Sequence, residues 1–260
     1  MAAAYVSARD PRIRALLSSR TPSGTVPAEG VWAHRYLLDV GADIEIFILC
    51  PRLLAGPAQE LAEAVARRAR AVFEVSANTY HRASRRTQPS GLASLVRLPL
   101  WRAGDGTIGD HAIHSGTRVL VADGIEYATN LGALIRVVDA SGAQALFLTN
   151  RQARLEHPDV FTASRGTLLS TPVIDFGEPE AAAAWLAREG FSVYLALPQG
   201  SNDFRDLPHR FGPTAIVVGS EGRGVSAQWR SMPHQPVSIP MRGRADSLNV
   251  AVAAGVLLFT

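Results

Sequence analysis

From residue 118 to the end of the chain, short apolar runs alternate with amphipathic segments, and that alternation leaves few folds open. Strands are expected at 118–122, 145–148, 172–174, 192–197, 215–218 and 237–239. Helices are expected at about 130–141, 159–164 and 178–189, with a last one opening at Ser247. Parallel neighbours need a crossover, and crossover helices cover the sheet, so the pattern implies an α/β fold with a largely parallel sheet and helices on both faces. Such sheets bind ligands outside the carboxyl ends of their strands.

A smaller α/β unit precedes this one. A helix is expected at 31–40, ending at Gly41, then a continuous apolar strand at 44–49 and an amphipathic helix at 57–70 with proline in its first turn. Strands at 71–75 and 92–98 flank the polar, arginine-bearing segment 84–91. Ahead of them, Arg12, Arg14, Leu16 and Leu17 mark a short basic helix candidate. Residues 99–116 are glycine-rich and show neither period, as a linker would. The organisation read from sequence is thus an N-terminal domain at 1–98, a linker at 99–116 and a second domain at 117–260.

With 260 residues and 47% hydrophobic content, the chain can bury a substantial core. It has no uninterrupted apolar run of 18 residues, and its first residues lack a basic start followed by an apolar stretch. A cytoplasmic protein with no membrane partner is expected. Cys50, the one cysteine, excludes an internal disulfide and a cysteine cluster for metal; no metal site is expected, and the setting IEIFILCP points to burial at a strand end. Net charge is only +3, yet all 26 basic residues are arginine. The planar guanidinium suits phosphate, but abundant alanine, glycine and proline point to a GC-rich coding sequence as the main reason for the missing lysine. Position, not total charge, must therefore decide about nucleic acid.

Three stretches place glycines and polar side chains at carboxyl ends of expected strands. The first, DGIEYATNLGALIRVVDASGA, carries Asn130 and Arg136; the latter stands among Leu134, Ile135, Val137 and Val138, where burying its charge without a partner is costly, so a salt-bridged structural arginine is the competing reading. The second, AIVVGSEGRGVS, runs from strand into G-S-E-G-x-G with Glu221 projecting from a turn whose glycines let backbone approach a ligand; a plain glycine turn is the alternative. Without lysine it is no Walker phosphate loop, and the dinucleotide spacing G-x-G-x-x-G is absent after the first strand. The third, VSIPMRGRADSLNVAVAAGVLL, offers Ser247 as an N-cap, Asn249 beside it, and a helix N-terminus able to hold a polar ligand.

Together these stretches resemble the SpoU-type (TrmH-like) branch of the SPOUT RNA ribose 2′-O-methyltransferases. Three signatures occur in the family's order: N-x-G-A-x-x-R followed by A-S-G-A, V-x-G-S-E-G-x-G-x-S, and I-P-M-x-G-x-x-x-S-L-N-V. The resemblance covers about 118–259; the preceding unit is similar in pattern to the ribosomal-protein-like RNA-binding domain that many members carry. The segment ASRGTLLSTPV is similar to the thiostrepton-resistance rRNA methyltransferases of that branch, which makes Arg165 a candidate RNA contact, although a further arginine usually stands where this chain has Thr162.

The resemblance implies a trefoil-knotted sheet, one of the exceptions to unknotted topology. It also implies S-adenosylmethionine as cofactor, held largely by backbone of three loops: Ala196, Leu197 and Gly200; Gly219, Ser220 and Glu221; and Ile239, Met241, Ser247, Leu248, Asn249 and Val250. Arg136, Asn130, Glu221, Ser247 and Asn249 would serve catalysis. A homodimer is implied, and RNA as partner, with rRNA favoured over tRNA. Arg82, Arg85 and Arg86, flanking Tyr80 and His81, are expected to meet RNA in a polar loop where an aromatic ring can stack on bases. Two other readings stay open: a non-catalytic RNA-binding homologue and a small-molecule enzyme of the doubly wound type.

Overall fold

The computed structural model describes residues 4–7, 10, 11, 13, 22–198, 202–206 and 212–259. Gly200 and the basic helix candidate at Arg12, Arg14, Leu16 and Leu17 lie outside the described residues. The chain divides into two compact units: the first is Met1–Pro99 with Leu155–Ser170, the second Leu100–Arg154 with Thr171–Thr260.

The first unit holds a five-stranded mixed sheet of β1 (Ala4–Tyr5), β2 (Thr25–Glu29), β3 (Ile44–Leu49), β4 (Ala71–Glu74) and β5 (Leu92–Arg97), in the order β1-β4-β3-β5-β2. Among the described residues four helices, α1 (Val31–Asp39), α2 (Pro57–Arg68), α3 (Ala77–Ala83) and, from the segment 155–170, α5 (Pro158–Ala163), accompany it. Ile48, Phe73, Val75, Tyr80 and Leu95 pack around the fully buried Cys50.

The second unit is built on a six-stranded sheet in which every pairing is parallel: β8 (Arg118–Asp123), β9 (Ala145–Thr149), β10 (Val173–Gly177), β11 (Ser192–Ala196), β12 (Thr214–Gly219) and β13 (Gln235–Val237), ordered β10-β9-β8-β12-β11-β13. Val119, Val121, Phe147 and Val217 pack with Trp185, Leu186 and Trp229, which come from α6 (Pro179–Arg188) and α7 (Ala227–Ser231). Side chains alternate along a strand, so Leu120, Ala122, Leu148 and Val218 face the opposite side. There α4 (Ala128–Ser141) and α8 (Val250–Leu258) pack on each other and on the central strands. Arg118 fixes both helices at their C-terminal ends, donating to the carbonyls of Leu258 (2.6 Å) and Ser141 (2.9 Å).

The stretch expected as a linker folds into the second unit instead. Its β6 (Thr107–Ile108) and β7 (His111–Ala112) form a small hairpin, Ile108 is buried beside Trp185, and the Trp185 indole donates to the Gly104 carbonyl at 3.1 Å. Trp101, Ala103 and Ile113 pack against the same core, and their irregular spacing matches neither the helix nor the strand period, so the sequence pattern could not register them.

From the adjacent pair β8 and β12 the strand order runs outward in two directions. The loops after these two strands therefore diverge and open a crevice at their carboxyl ends, the switch point of a doubly wound sheet.

Candidate active site

Asn249 is the joint of the crevice. Its Oδ1 accepts from the Ala251 backbone N–H at 3.0 Å and caps α8, while its Nδ2 donates to Glu221 Oε1 at 2.6 Å and Asn130 Oδ1 at 3.1 Å. The N-cap is thus Asn249, not Ser247 as the sequence suggested. Ser and Asn are equal as caps, but only an amide can cap with oxygen and still donate two bonds; Ser247 is exposed, and its hydroxyl donates to Asp246 Oδ1 at 3.3 Å. Helix α4 begins at Ala128, so Asn130 sits within its first turn.

A cavity of about 390 Å³ lies beside this joint. Ala196, Leu197, Gly219, Ser220, Glu221, Ile239, Met241, Ser247, Leu248 and Val250, all singled out from sequence, line it. Its size lies in the range of small-molecule sites. Leu197, Ile239, Met241 and Leu248 give it apolar walls, Glu221 and Asp246 supply negative charge, and Arg223 and Arg230 supply positive charge that suits the cofactor's carboxylate. Such a donor set fits S-adenosylmethionine, a flat purine joined to a cationic sulfonium and an ammonium group. Among the described residues no cluster of His, Cys, Asp and Glu could hold a metal ion, and no helix is long and apolar enough to cross a membrane.

At Gly219 the fold itself excludes a side chain. A Cβ there would fall 2.0 Å from the Gly224 carbonyl carbon and 2.1 Å from the Val225 nitrogen, so the close approach is made by the loop's own backbone. The turn is cross-tied by the Gly224 N–H to the Ser220 carbonyl (2.8 Å) and the Arg223 N–H to Ser220 Oγ (3.2 Å).

Sequence reading missed Asp123, at the end of β8. It is buried, and its Oδ1 accepts from Thr149 Oγ1 (3.0 Å) and Asn150 Nδ2 (2.9 Å), while Oδ2 accepts from the Ser226 backbone N–H at 2.7 Å. Trp229 extends the network by donating to Thr149 Oγ1 at 3.1 Å. One carboxylate thereby ties the ends of β8 and β9 to the segment after the 219–224 turn. The available signal was an acid closing an apolar strand just before Gly124, where burial demands partners.

Arg136 departs from expectation. Leu131, Leu134, Ile135 and Val138 form the buried stripe of α4, and Arg136 points away from it into solvent. Among the described residues it makes no hydrogen bond or ion pair, and the structure does not bring it to Asn130, Glu221 and Asn249.

The first unit's arginines are placed as follows. Arg82 is exposed on α3; Arg85 lies 3.5 Å from Asp159; the Arg86 guanidinium lies against Gly30, where a Cβ would be 2.7 Å from it. Arg165 stacks its guanidinium 4.5 Å over the Trp32 ring. Tyr80, expected in a polar loop as a stacking surface, is buried inside α3 instead. Ser76, a standard N-cap, starts that helix.

Residues 117–259 match the SpoU rRNA Methylase family. The chain belongs to that family. Within it, the SpoU chain is 33% identical over 141 residues to a putative TrmH family tRNA/rRNA methyltransferase of Staphylococcus haemolyticus, covering 54% of this chain and 56% of that one. It is 34% identical over 135 residues to a 23S rRNA (uridine(2479)-2′-O)-methyltransferase of Streptomyces viridochromogenes, covering 50% and 47%. The SpoU chain thus spans about half the length of these curated relatives. Among solved structures, the AdoMet-bound rRNA methyltransferase of Sinorhizobium meliloti aligns over 96% of this chain and 92% of its own, at a TM-score of 0.81 and 25% identity.

Proposed function

We propose that this chain is an S-adenosylmethionine-dependent RNA ribose 2′-O-methyltransferase acting on rRNA. The observation that carries the reading is the Asn249 joint: one amide joins the family's three signatures at the rim of a cavity of cofactor size. The rRNA preference draws on the relatives' names. A trefoil knot in the second unit, an RNA-binding first unit of ribosomal-protein type, a cytoplasmic location and a homodimer complete the reading. The dimer would use α4 and α8, where Val252 and Phe259 remain exposed. In the alternative of a non-catalytic RNA-binding homologue, the Asn130–Glu221–Asn249 arrangement would have no task.

The cofactor, when bound, supplies a methyl group on a positively charged sulfur. It would pass that methyl to the ribose 2′-oxygen and leave as the neutral thioether, with the hydroxyl proton released to solvent water. Asn249 holds Glu221 through Oε1, which leaves Oε2 without a protein partner among the described residues and able to accept from a hydroxyl. Asn130 accepts through Oδ1, which leaves its NH2 to donate. An acceptor beside a donor matches the vicinal hydroxyls of a ribose. Arg136 keeps its proton, because a guanidinium is charged at any working pH. Its role is to hold the neighbouring phosphate and stabilise negative charge developing on the 2′-oxygen. Ser247 and Leu248 border the cavity where cofactor and ribose meet.

Mass-spectrometric mapping of ribose methylation in total RNA from cells with and without this protein tests the proposal. One 2′-O-methyl mark in rRNA should vanish with the protein. A map unchanged in both rRNA and tRNA would remove the assigned activity.

A further inference from the structure

A cavity larger than the one at the crevice lies within the first unit. It measures about 860 Å³ and is walled by Pro27, Ile48, Val75 and Ala93 of the sheet, by Ala83 of α3, and by Phe161 of the segment 155–170, with Arg85, Arg86, Thr87 and Gln88 along one side. Three features give it a chemistry. Tyr80 lines it and is 2% exposed, and its hydroxyl has no hydrogen-bond partner. Burial, with the nearby Glu29 charge adding to it, pushes the Tyr80 pKa upward, so the hydroxyl stays a donor. Leaving such a donor unpaired forfeits its hydration with nothing in return, and native proteins seldom tolerate that without a use. Glu29, also in the lining, is held in place through both oxygens, by the Ser84 hydroxyl and by the Arg85 backbone N–H at 3.2 Å, and each oxygen has a second lone pair to offer. Arg85 and Arg86 are exposed and line the cavity, Arg86 without an ion pair among the described residues and Arg85 3.5 Å from Asp159 in a solvent-exposed pair that a phosphate can share.

We infer that this cavity takes up one unpaired nucleotide of the RNA, its base entering between the apolar walls and its phosphate meeting Arg85 and Arg86. The Watson–Crick edge of each of the four bases places an acceptor next to an N–H donor, the complement of the Tyr80 hydroxyl and the Glu29 carboxylate. That edge is available only where the base is unpaired, the usual target of sequence-reading RNA-binding proteins. A base pair is too wide and too polar for the apolar walls, and a bare phosphate would leave Tyr80 unsatisfied and meet the Glu29 charge. The inference rests on the reading that this chain acts on RNA, but it concerns binding at the first unit and needs no methyl transfer.

The test uses the full chain and two RNA hairpins that differ only by a single bulged nucleotide, titrated by fluorescence anisotropy without cofactor. The wild type is expected to bind the bulged hairpin at least tenfold more tightly. Tyr80→Phe, which removes one atom, should lower that preference several-fold while raising the melting temperature, because the unpaired hydroxyl has gone. Ala83→Phe, which fills the cavity from its wall, should abolish the preference and leave S-adenosylmethionine affinity unchanged by calorimetry. Equal affinity of the wild type for both hairpins, or an unchanged preference in both variants, overturns the inference. Uridine and guanosine 5′-monophosphates form a separate arm; binding as tight as that of the bulged hairpin would make the occupant a free nucleotide and overturn the assignment to RNA. The two readings fail separately: methyl transfer with no bulge preference removes only this inference, whereas bulge preference without any methyl transfer removes only the catalytic one.

Discussion

Asn249 makes three bonds with one side chain, and its substitutions separate what each bond does. Asn249→Ala should cost about 1 kcal/mol of stability through the lost cap, and it should also lose methyl transfer, since Glu221 and Asn130 are released. Asn249→Ser keeps a good cap but cannot donate twice from an amide. Urea denaturation should show it near wild type while radiolabelled methyl transfer falls at least tenfold; turnover restored by serine would mean that the amide bridge is dispensable. His34 makes a different residue-scale case. Its Nδ1 must donate to the Gly30 carbonyl (2.8 Å), which leaves Nε2 to accept from Ser94 Oγ (2.9 Å) in the neutral ring. Burial lowers its pKa to about 4 from 6.5, against a smaller opposing effect of the Gly30 bond. The unfolded chain therefore binds the extra proton first as pH falls below 6.5, so stability is level above that pH and declines toward pH 4 by up to about 1.4 kcal/mol per unit. Urea midpoints measured from pH 8 to 5 should show this slope, and His34→Gln should flatten it; an equal slope in the variant would assign the effect to other groups.

At the scale of elements, the turn 219–224 closes so tightly on itself that its glycines are not equivalent. Gly219→Ala places a Cβ on the Gly224 backbone, whereas Gly222 has nothing within 4 Å of a Cβ. Calorimetry should find S-adenosylmethionine affinity lowered more than tenfold in Gly219→Ala, with a reduced melting temperature, and Gly222→Ala close to wild type in both. Similar losses in the two would mean that the glycines serve the ligand rather than the turn. This contrast was not legible in G-S-E-G-x-G, because the letters identify a turn but not which backbone approaches which. The strand at 44–49 was legible to the residue, since three isoleucines, Phe47 and Leu49 concentrate strand-favouring and apolar side chains in six positions. Strand β2 was not: Pro27 stands in its middle, and the strand survives because it is an edge with one partner, β5. Helix α3 is seven residues long and buries Tyr80, so packing rather than propensity makes it. The partners of Asp123 lay beyond reach because they are 26, 27 and 103 residues away.

For the whole molecule, the catalytic role proposed for Arg136 requires that a second chain bring it to the site. It was read from sequence as a charge among apolar neighbours, but a helix sorts adjacent letters onto different faces, and Arg136 emerges on the solvent side of α4 away from the Asn249 joint. The same helix packs on α8, whose Val252 is 53% exposed and is followed by Phe259 at 64%, in a segment with no charge from Val250 to Phe259. An apolar face beside an unpaired arginine is what a two-fold assembly would use, with Arg136 of one protomer completing the site of the other. Arg136→Ala should abolish methyl transfer and leave S-adenosylmethionine affinity within a few-fold, because its cavity contains no atom of that residue. The decisive measurement mixes this variant with Asn249→Ala after unfolding and refolding the two together. If the site is shared, each mixed dimer holds one site with both lesions and one with neither, so an equal mixture recovers about a quarter of wild-type activity. If Arg136 acts within its own chain, every site carries one lesion and the mixture stays as inactive as its parts.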